Sequence, residues 1–155
     1  MKTKLIIIII LTIIALIDAS YLTHNAYILK HTQEQVFNIW LQKKEVWFAC
    51  DINQTFSCSS VFKNSFAWIF NLPFSLYAII VYPIIWIIAF LGLKWIIKNV
   101  FKILFIFSFL WIIFNLYLII HEIVIWSYCF LCLICTAIII LINLLSIISL
   151  LKKCK

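Results

Sequence analysis

The sequence predicts an all-α membrane protein, a bundle of four transmembrane helices with one long extracytoplasmic loop. Hydrophobic residues make up 67% of the 155 residues and charged residues 11%, far from the composition of a water-soluble domain. Four stretches are apolar over about 20 residues, the length of helix that crosses a bilayer. The basic residues are all lysines, and eight of the twelve lie in alternate connections. These observations exclude a soluble globule, a disordered tail and a nucleic-acid-binding module, despite a net charge of +7.

The four apolar stretches set the predicted helix bounds. They are residues 5–22, 74–93, 103–120 and 128–151, and the long loop covers residues 24–72. The other two connections are short, so we predict a single membrane domain over residues 1–155. A cleaved signal peptide is the alternative for the first stretch, but Ile17 or Asp18 would stand where cleavage requires a small residue.

Charge predicts the orientation of the bundle. Eight lysines, with no acidic residue among them, lie before the first helix, between the second and third, and after the fourth: Lys2, Lys4, Lys94, Lys98, Lys102, Lys152, Lys153 and Lys155. All five acidic residues lie in or beside the other two connections. Because positive loops stay in the cytoplasm, both termini are predicted to be cytoplasmic and the long loop extracytoplasmic.

Four cysteines on the predicted external side indicate redox chemistry. Cys50 and Cys58 lie in the long loop, and Cys129-Phe130-Leu131-Cys132 forms a C-x-x-C at the external start of the fourth helix. A helix N-terminus stabilises a thiolate on the first cysteine, and only the thiolate attacks a disulfide. The alternatives are half of a zinc site, which no nearby histidine completes, and small apolar side chains that merely pack. A second pair on the same side favours dithiol/disulfide exchange, with no metal.

The remaining two cysteines fit this chemistry less well. Cys135 is rotated by roughly 120° from Cys129 on an ideal helix, so we predict that it packs away from the active face. Cys154 lies among cytoplasmic lysines, where thiols stay reduced, and is predicted to be inert.

The chain resembles the vitamin K epoxide reductase (VKOR) family and is most similar to the bacterial type of member. The motifs that carry the resemblance are Asp18-Ala19-Ser20-Tyr21-Leu22-Thr23, Cys50-Asp51, Cys58-Ser59, Val61-Phe62, Ser65, Leu72-Pro73-Phe74-Ser75-Leu76 and Cys129-Phe130-Leu131-Cys132. They extend over most of the chain. Two cysteine pairs at the family's spacings, on the corresponding segments, make the resemblance specific.

The resemblance implies a path for electrons. In this family a thioredoxin-fold partner reduces the loop cysteines, which reduce the helix pair, which reduces a quinone. Carried over to this chain, Cys50 exchanges with the partner, Cys58 exchanges with Cys129, and Cys132 faces the quinone, either ubiquinone or menaquinone. Because many bacterial members carry a fused thioredoxin domain and this sequence does not, the partner is expected to be a separate DsbA-like protein.

The departures from the family concern the quinone site. Vertebrate members carry an Asn where Phe74 stands and a Tyr where Thr136 stands. Phe74 is expected at the quinone site, with Ser65 and Ser75 as candidate hydrogen-bond donors. A local cap or turn contact is the alternative for each serine. Loss of the two polar side chains disfavours epoxide reduction and leaves plain quinone reduction, which needs an apolar slot and one or two donors.

The function predicted from the sequence is a membrane thiol:quinone oxidoreductase that reoxidises an extracytoplasmic disulfide-forming protein. The absence of Arg and the abundance of Ile and Lys suggest an AT-rich genome and favour a bacterial inner membrane. Two alternatives remain open: a vitamin K quinone or epoxide reductase of the endoplasmic reticulum, and a non-enzymatic membrane scaffold stapled by a Cys50–Cys58 disulfide.

Overall fold

Long helices dominate the computed structural model, which describes residues 2–38, 50–53, 55–94, 96 and 99–153. Its elements are α1 (Lys2–Asn38), α2 (Cys58–Lys63), a 3₁₀ turn (Ser65–Ala67), β1 (Trp68–Ile69), β2 (Leu72–Pro73), α3 (Phe74–Leu93), α4 (Val100–Val124) and α5 (Phe130–Lys153). Within the described residues, four helices (α1, α3, α4 and α5) are long and apolar enough to cross a membrane. The predicted all-α four-helix membrane class is confirmed, and the chain is an integral multi-pass membrane protein.

Small side chains let the helices of the bundle approach closely. α1 packs mainly on α3, and α4 packs mainly on α5. Ala15 and Ala19 of α1 and Ala78 and Ala89 of α3 are all buried in one apolar cluster. Alanines at such positions allow helix backbones to come near each other where lipid, not water, is the solvent. The close α1–α3 pair therefore follows from residue size.

The first helix continues well beyond the predicted membrane span. The predicted span ended at residue 22, where hydropathy falls, but α1 continues to Asn38. Residues 23–38 contain neither Gly nor Pro, so nothing in the sequence stops the helix. Leu22, Ala26 and Leu29 are buried at intervals of four and three residues and give this extension an apolar face. The connection predicted from residue 24 therefore starts after Asn38, and its residues 39–49 lie outside the described part.

The other three long helices follow their predicted positions. α3 has the predicted bounds, whereas α4 is longer at both ends than residues 103–120. The fourth predicted helix, α5, begins at Phe130, two residues later than predicted, because Tyr128 is part of a β-bridge. The only glycine of the sequence, Gly92, lies in the last turn of α3 against Val100 at the start of α4, where any Cβ would overlap Val100 Cγ2.

The described residues between α1 and α3 lie over one end of the bundle and are here named the loop cover (residues 50–53 and 55–73). Its hairpin turns at Phe70 and Asn71, whose φ angles of 52° and 65° are those of a type I′ turn. The Trp68 indole donates a hydrogen bond to the Phe62 carbonyl oxygen at 2.8 Å. The Lys30 ammonium lies 4.8 Å from the centre of the Trp68 ring. These contacts connect the hairpin to α1 and α2.

Candidate active site

The helix cysteine pair begins at the first turn of α5. Cys129 directly precedes the helix, and its carbonyl oxygen accepts the Leu133 N–H at 3.0 Å. The Cys132 N–H points at Cys129 Sγ, 3.3 Å away. The sulfur thus takes the place of the oxygen of an ordinary N-cap side chain. Donation from this N–H and the positive end of the helix dipole both favour a thiolate on Cys129.

Glu122 holds Cys129 from the other side. It lies in the last turn of α4, is 1% exposed, and accepts the Cys129 N–H through Oε2 at 3.3 Å. Sequence reasoning counted Glu122 only as an acid beside a connection and assigned it no role in the site. The signal that could have identified it is an acidic residue in an apolar helix seven residues before the C-x-x-C, because such residues are rare and usually functional.

Backbone hydrogen bonds hold the loop cysteines next to the start of α5. Phe56 and Tyr128 form a parallel β-bridge. The Tyr128 N–H donates to the Thr55 carbonyl at 2.7 Å, and the Ser57 N–H donates to the Tyr128 carbonyl at 3.1 Å. Cys58 follows Ser57 directly, and Cys129 follows Tyr128 directly. These hydrogen bonds therefore place Cys58 and Cys129 side by side, with their Sγ atoms 3.1 Å apart and both side chains fully buried.

Asp51 fixes the start of α2, which carries Cys58. Its Oδ1 accepts hydrogen bonds from Ser57 Oγ and from the Ser59 N–H, both at 3.0 Å. Ser57 Oγ in turn accepts the Ser60 N–H and caps the helix. The Cys50-Asp51 and Cys58-Ser59 motifs are therefore joined by hydrogen bonds as well as by their sulfurs.

Both cysteine pairs are disulfides in the structure. Cys50 is bonded to Cys58 and Cys129 to Cys132, with Cα–Cα distances of 5.9 and 5.1 Å. The sulfurs of Cys50, Cys58 and Cys129 all lie within 4.8 Å of one another. Three thiolates at this spacing could also ligate a metal, but the sulfurs of Cys50 and Cys58 share a bond and are not thiolates here. The arrangement suits thiol–disulfide exchange, in which a thiolate attacks a neighbouring disulfide sulfur.

A narrow cavity lies beside Cys132, among the four long helices. Its apolar lining includes Ala19, Leu22, Phe74, Ala78, Phe114 and Leu118. Its polar or thiol-bearing lining consists of Ser75, Tyr82, Trp111, Asn115, Cys132 and Cys135. Of the residues predicted for a quinone site, Phe74 and Ser75 line this cavity. Ser65 is exposed in the 3₁₀ turn of the loop cover and is not among the lining residues.

Cys135 lies elsewhere than the sequence suggested. It was expected away from the active face, but it lines the cavity together with Cys132, and its Sγ lies 3.0 Å from Asp18 Oδ2. The error came from measuring the helical rotation from Cys129, which precedes the helix. Measured from Cys132, the interval is three residues, and residues three apart share a helix face. Cys154 lies outside the described residues.

The fold and the site together define a class: a membrane-embedded thiol oxidoreductase, with two cysteine pairs in contact at one end of a helix bundle. The chain belongs to the vitamin K epoxide reductase family, because the model of that family matches residues 6–147, a range that includes both pairs. The resemblance found in the sequence is thereby confirmed. Family membership implies oxidoreductase activity, and members of the family use quinones. A search of curated proteins gave no match.

Proposed function

We propose that this protein is a thiol:quinone oxidoreductase that reoxidises an extracytoplasmic thioredoxin-fold, DsbA-like protein and so supports disulfide-bond formation. The observation that carries the proposal is the 3.1 Å distance between Cys58 Sγ and Cys129 Sγ, each sulfur belonging to a different disulfide. Reacting atoms about 3–3.5 Å apart need little further approach. Electrons can then pass between the two pairs by exchange alone.

Electron transfer between the two cysteine pairs needs no reagent beyond the reduced partner protein. A reduced partner converts the Cys50–Cys58 disulfide to two thiols and leaves oxidised. The Cys58 thiolate attacks Cys129 Sγ, the Cys129–Cys132 bond breaks, and Cys132 leaves as a thiolate. The Cys50 thiolate then attacks Cys58 Sγ, re-forming the loop disulfide and releasing Cys129. Two electrons have moved from the loop pair to the helix pair.

The cavity beside Cys132 fits a quinone ring in its chemistry. The lining is mainly aliphatic and aromatic, and a few polar groups are set among these side chains, as in small-molecule sites generally. A bound quinone supplies the acceptor for two electrons and two protons, which restores the Cys129–Cys132 disulfide. Because the cavity is narrow, we expect its aromatic side chains to move apart when a ring enters.

The partner reaction requires the loop cover to open. Cys50, the proposed point of exchange with the partner, is only 3% exposed. A protein thiolate cannot reach a sulfur that is buried to this degree without local movement. We therefore propose that opening of the segment around Cys50 precedes exchange with the thioredoxin-fold protein.

The proposed location is a bacterial inner membrane with both termini in the cytoplasm. The clusters of lysine support this orientation through the positive-inside rule. Lys4 Nζ lies 3.1 Å from Ser149 Oγ, so the start of α1 and the end of α5 are at the same end of the bundle. The cysteine pairs then face the oxidising side of the membrane, where disulfides persist.

The test is anaerobic quinone reduction by the purified protein in detergent. A reduced thioredoxin-fold protein serves as electron donor, and short-chain ubiquinone and menaquinone analogues serve as acceptors. We expect hydroquinone and oxidised donor in equal amounts. Cys58→Ser, Cys129→Ser and Cys132→Ser should each abolish turnover with the protein donor.

Each competing function predicts a different result in the same experiment. A vitamin K epoxide reductase would reduce the epoxide with a dithiol, whereas we expect no epoxide reduction. A non-enzymatic scaffold would leave the redox state of Cys129 and Cys132 unchanged when quinone is supplied to the reduced protein. Either outcome would contradict the proposed function.

A further inference from the structure

The polar groups that line the cavity are mostly engaged within the protein. Thr23 Oγ1 lies 2.8 Å from both the Ala19 carbonyl oxygen and Ser75 Oγ. Thr23 shares its one hydroxyl proton between these two acceptors, so Ser75 Oγ accepts in this contact. The Tyr82 hydroxyl donates to the Cys135 carbonyl oxygen at 3.3 Å. The Tyr82 proton is therefore engaged within the protein.

Asn115 is held in a similar way. Its Oδ1 accepts the Thr136 hydroxyl at 3.2 Å, a proton that Thr136 shares with the Cys132 carbonyl oxygen at 2.9 Å, and one N–H of Nδ2 donates to the Trp111 carbonyl oxygen at 2.8 Å. The amide thus joins α4 to α5, the helix that carries Cys132. Its replacement would disturb the packing of the bundle as well as any ligand contact.

Trp111 differs from these groups. Its Nε1 is buried and, among the described residues, has no hydrogen-bond partner of ordinary geometry, although the Tyr82 hydroxyl lies near enough to interact weakly with it. The ring itself is fixed, stacked on Phe114 at 4.8 Å and edge-on to Tyr82 at 6.4 Å between ring centroids. A buried donor without an acceptor is unfavourable, and an unsatisfied group in a native structure calls for an explanation.

A quinone, the electron acceptor in the proposed function, offers a hydrogen-bond acceptor to Trp111 Nε1. A quinone carries two carbonyl oxygens that accept hydrogen bonds and no group that donates one. We propose that Trp111 Nε1 donates a hydrogen bond to one carbonyl oxygen of the quinone and positions the ring beside Cys132. This inference rests on the proposed function.

The test compares Trp111→Phe with Trp86→Phe. Both substitutions remove an indole N–H and keep an aromatic ring, but Trp86 stacks on Phe90 and is not a lining residue. Binding of a short-chain ubiquinone is titrated to the oxidised protein, which cannot turn over. Loss of one donor to a buried carbonyl should weaken binding about 5- to 150-fold in Trp111→Phe. Trp86→Phe should bind as the unmodified protein does.

A spectroscopic measurement separates a hydrogen bond from a change in packing. The carbonyl stretching band of bound, ¹³C-labelled ubiquinone should lie at lower frequency in the unmodified protein than in Trp111→Phe, because donation weakens the C=O bond. Equal affinity and an equal carbonyl frequency in the two proteins would overturn the assignment. A loss of stability in Trp111→Phe with unchanged quinone binding would also overturn it, since Trp111 would then act through its contact with Tyr82.

Failure of the inference is distinguishable from failure of the proposed function. If the unmodified protein neither binds nor reduces the quinone, the proposed function itself fails. If the unmodified protein does both and Trp111→Phe matches it, only the role of Trp111 fails.

Discussion

Replacement of Glu122 tests how the end of α4 positions the reactive cysteine. In Glu122→Ala the buried Cys129 N–H loses its acceptor, the carboxylate oxygen at 3.3 Å. A buried donor left unsatisfied costs about 1–3 kcal/mol of stability. Glu122→Gln keeps an oxygen in the same place and should retain most of that free energy. The free energy of unfolding of each variant can be measured by SDS titration in mixed micelles, with the half-exposed neighbour Ile123→Ala as control.

Activity should follow the same order as stability. Cys129 must stay within about 3–3.5 Å of Cys58 for exchange, and a misplacement of about 1 Å can reduce a rate roughly 100-fold. We therefore expect quinone reduction by Glu122→Ala to fall by one to two orders of magnitude, roughly 10- to 100-fold, and that by Glu122→Gln to fall less than about threefold. If Glu122→Gln were as inactive as Glu122→Ala while folded normally, the carboxylate would act through its proton and not through position. That result would refute this reasoning.

Three further predictions concern other parts of the site and fold. Asp51→Ala should lower stability by about 0.5–2 kcal/mol, because the Ser57 hydroxyl and the Ser59 N–H lose their acceptor, and should slow exchange with the protein donor; Asp51→Asn should do less of both, and donor oxidation rates check this. Cys135→Ser should keep most electron transfer, because a hydroxyl can still donate to Asp18; a complete loss at normal membrane levels would put a third thiol in the relay. Gly92→Ala should destabilise the bundle by about 1–3 kcal/mol, and Val100→Ala should relieve that loss in the double variant, as a double-mutant cycle of unfolding would detect.

The bundle could be predicted from the sequence, because each membrane span is marked along its whole length by an apolar run and by the charges that flank it. The bounds of α3 are those predicted, residues 74–93. Hydropathy placed the end of the first span at residue 22, because hydropathy reports where a helix leaves an apolar layer, not where its backbone hydrogen bonds stop. The backbone of α1 continues as a helix to Asn38.

The site was predictable in its residue types and not in its contacts. The spacing of Cys129 and Cys132 identifies the C-x-x-C, and the apolar run that begins beside it places the motif at a helix start. The closeness of Cys58 to Cys129 depends on the Phe56–Tyr128 bridge, which joins residues 72 positions apart. No local pattern encodes such a pairing. The unpartnered nitrogen of Trp111 is also a property of packing, since one Trp among seven in an apolar sequence carries no distinguishing mark.

The most direct test of the account is to trap the relay between the loop and α5. In Cys132→Ser the thiol that resolves the mixed disulfide from the helix side is missing, so the link between the two pairs should accumulate. Rapid acid quenching, alkylation of free thiols and non-reducing peptide mass spectrometry would identify the bond, with Cys135→Ser as control. The account predicts a Cys58–Cys129 disulfide in Cys132→Ser and none in the control. A Cys50–Cys129 bond would reverse the roles of the two loop cysteines, and the absence of any bond between loop and helix would contradict the relay itself.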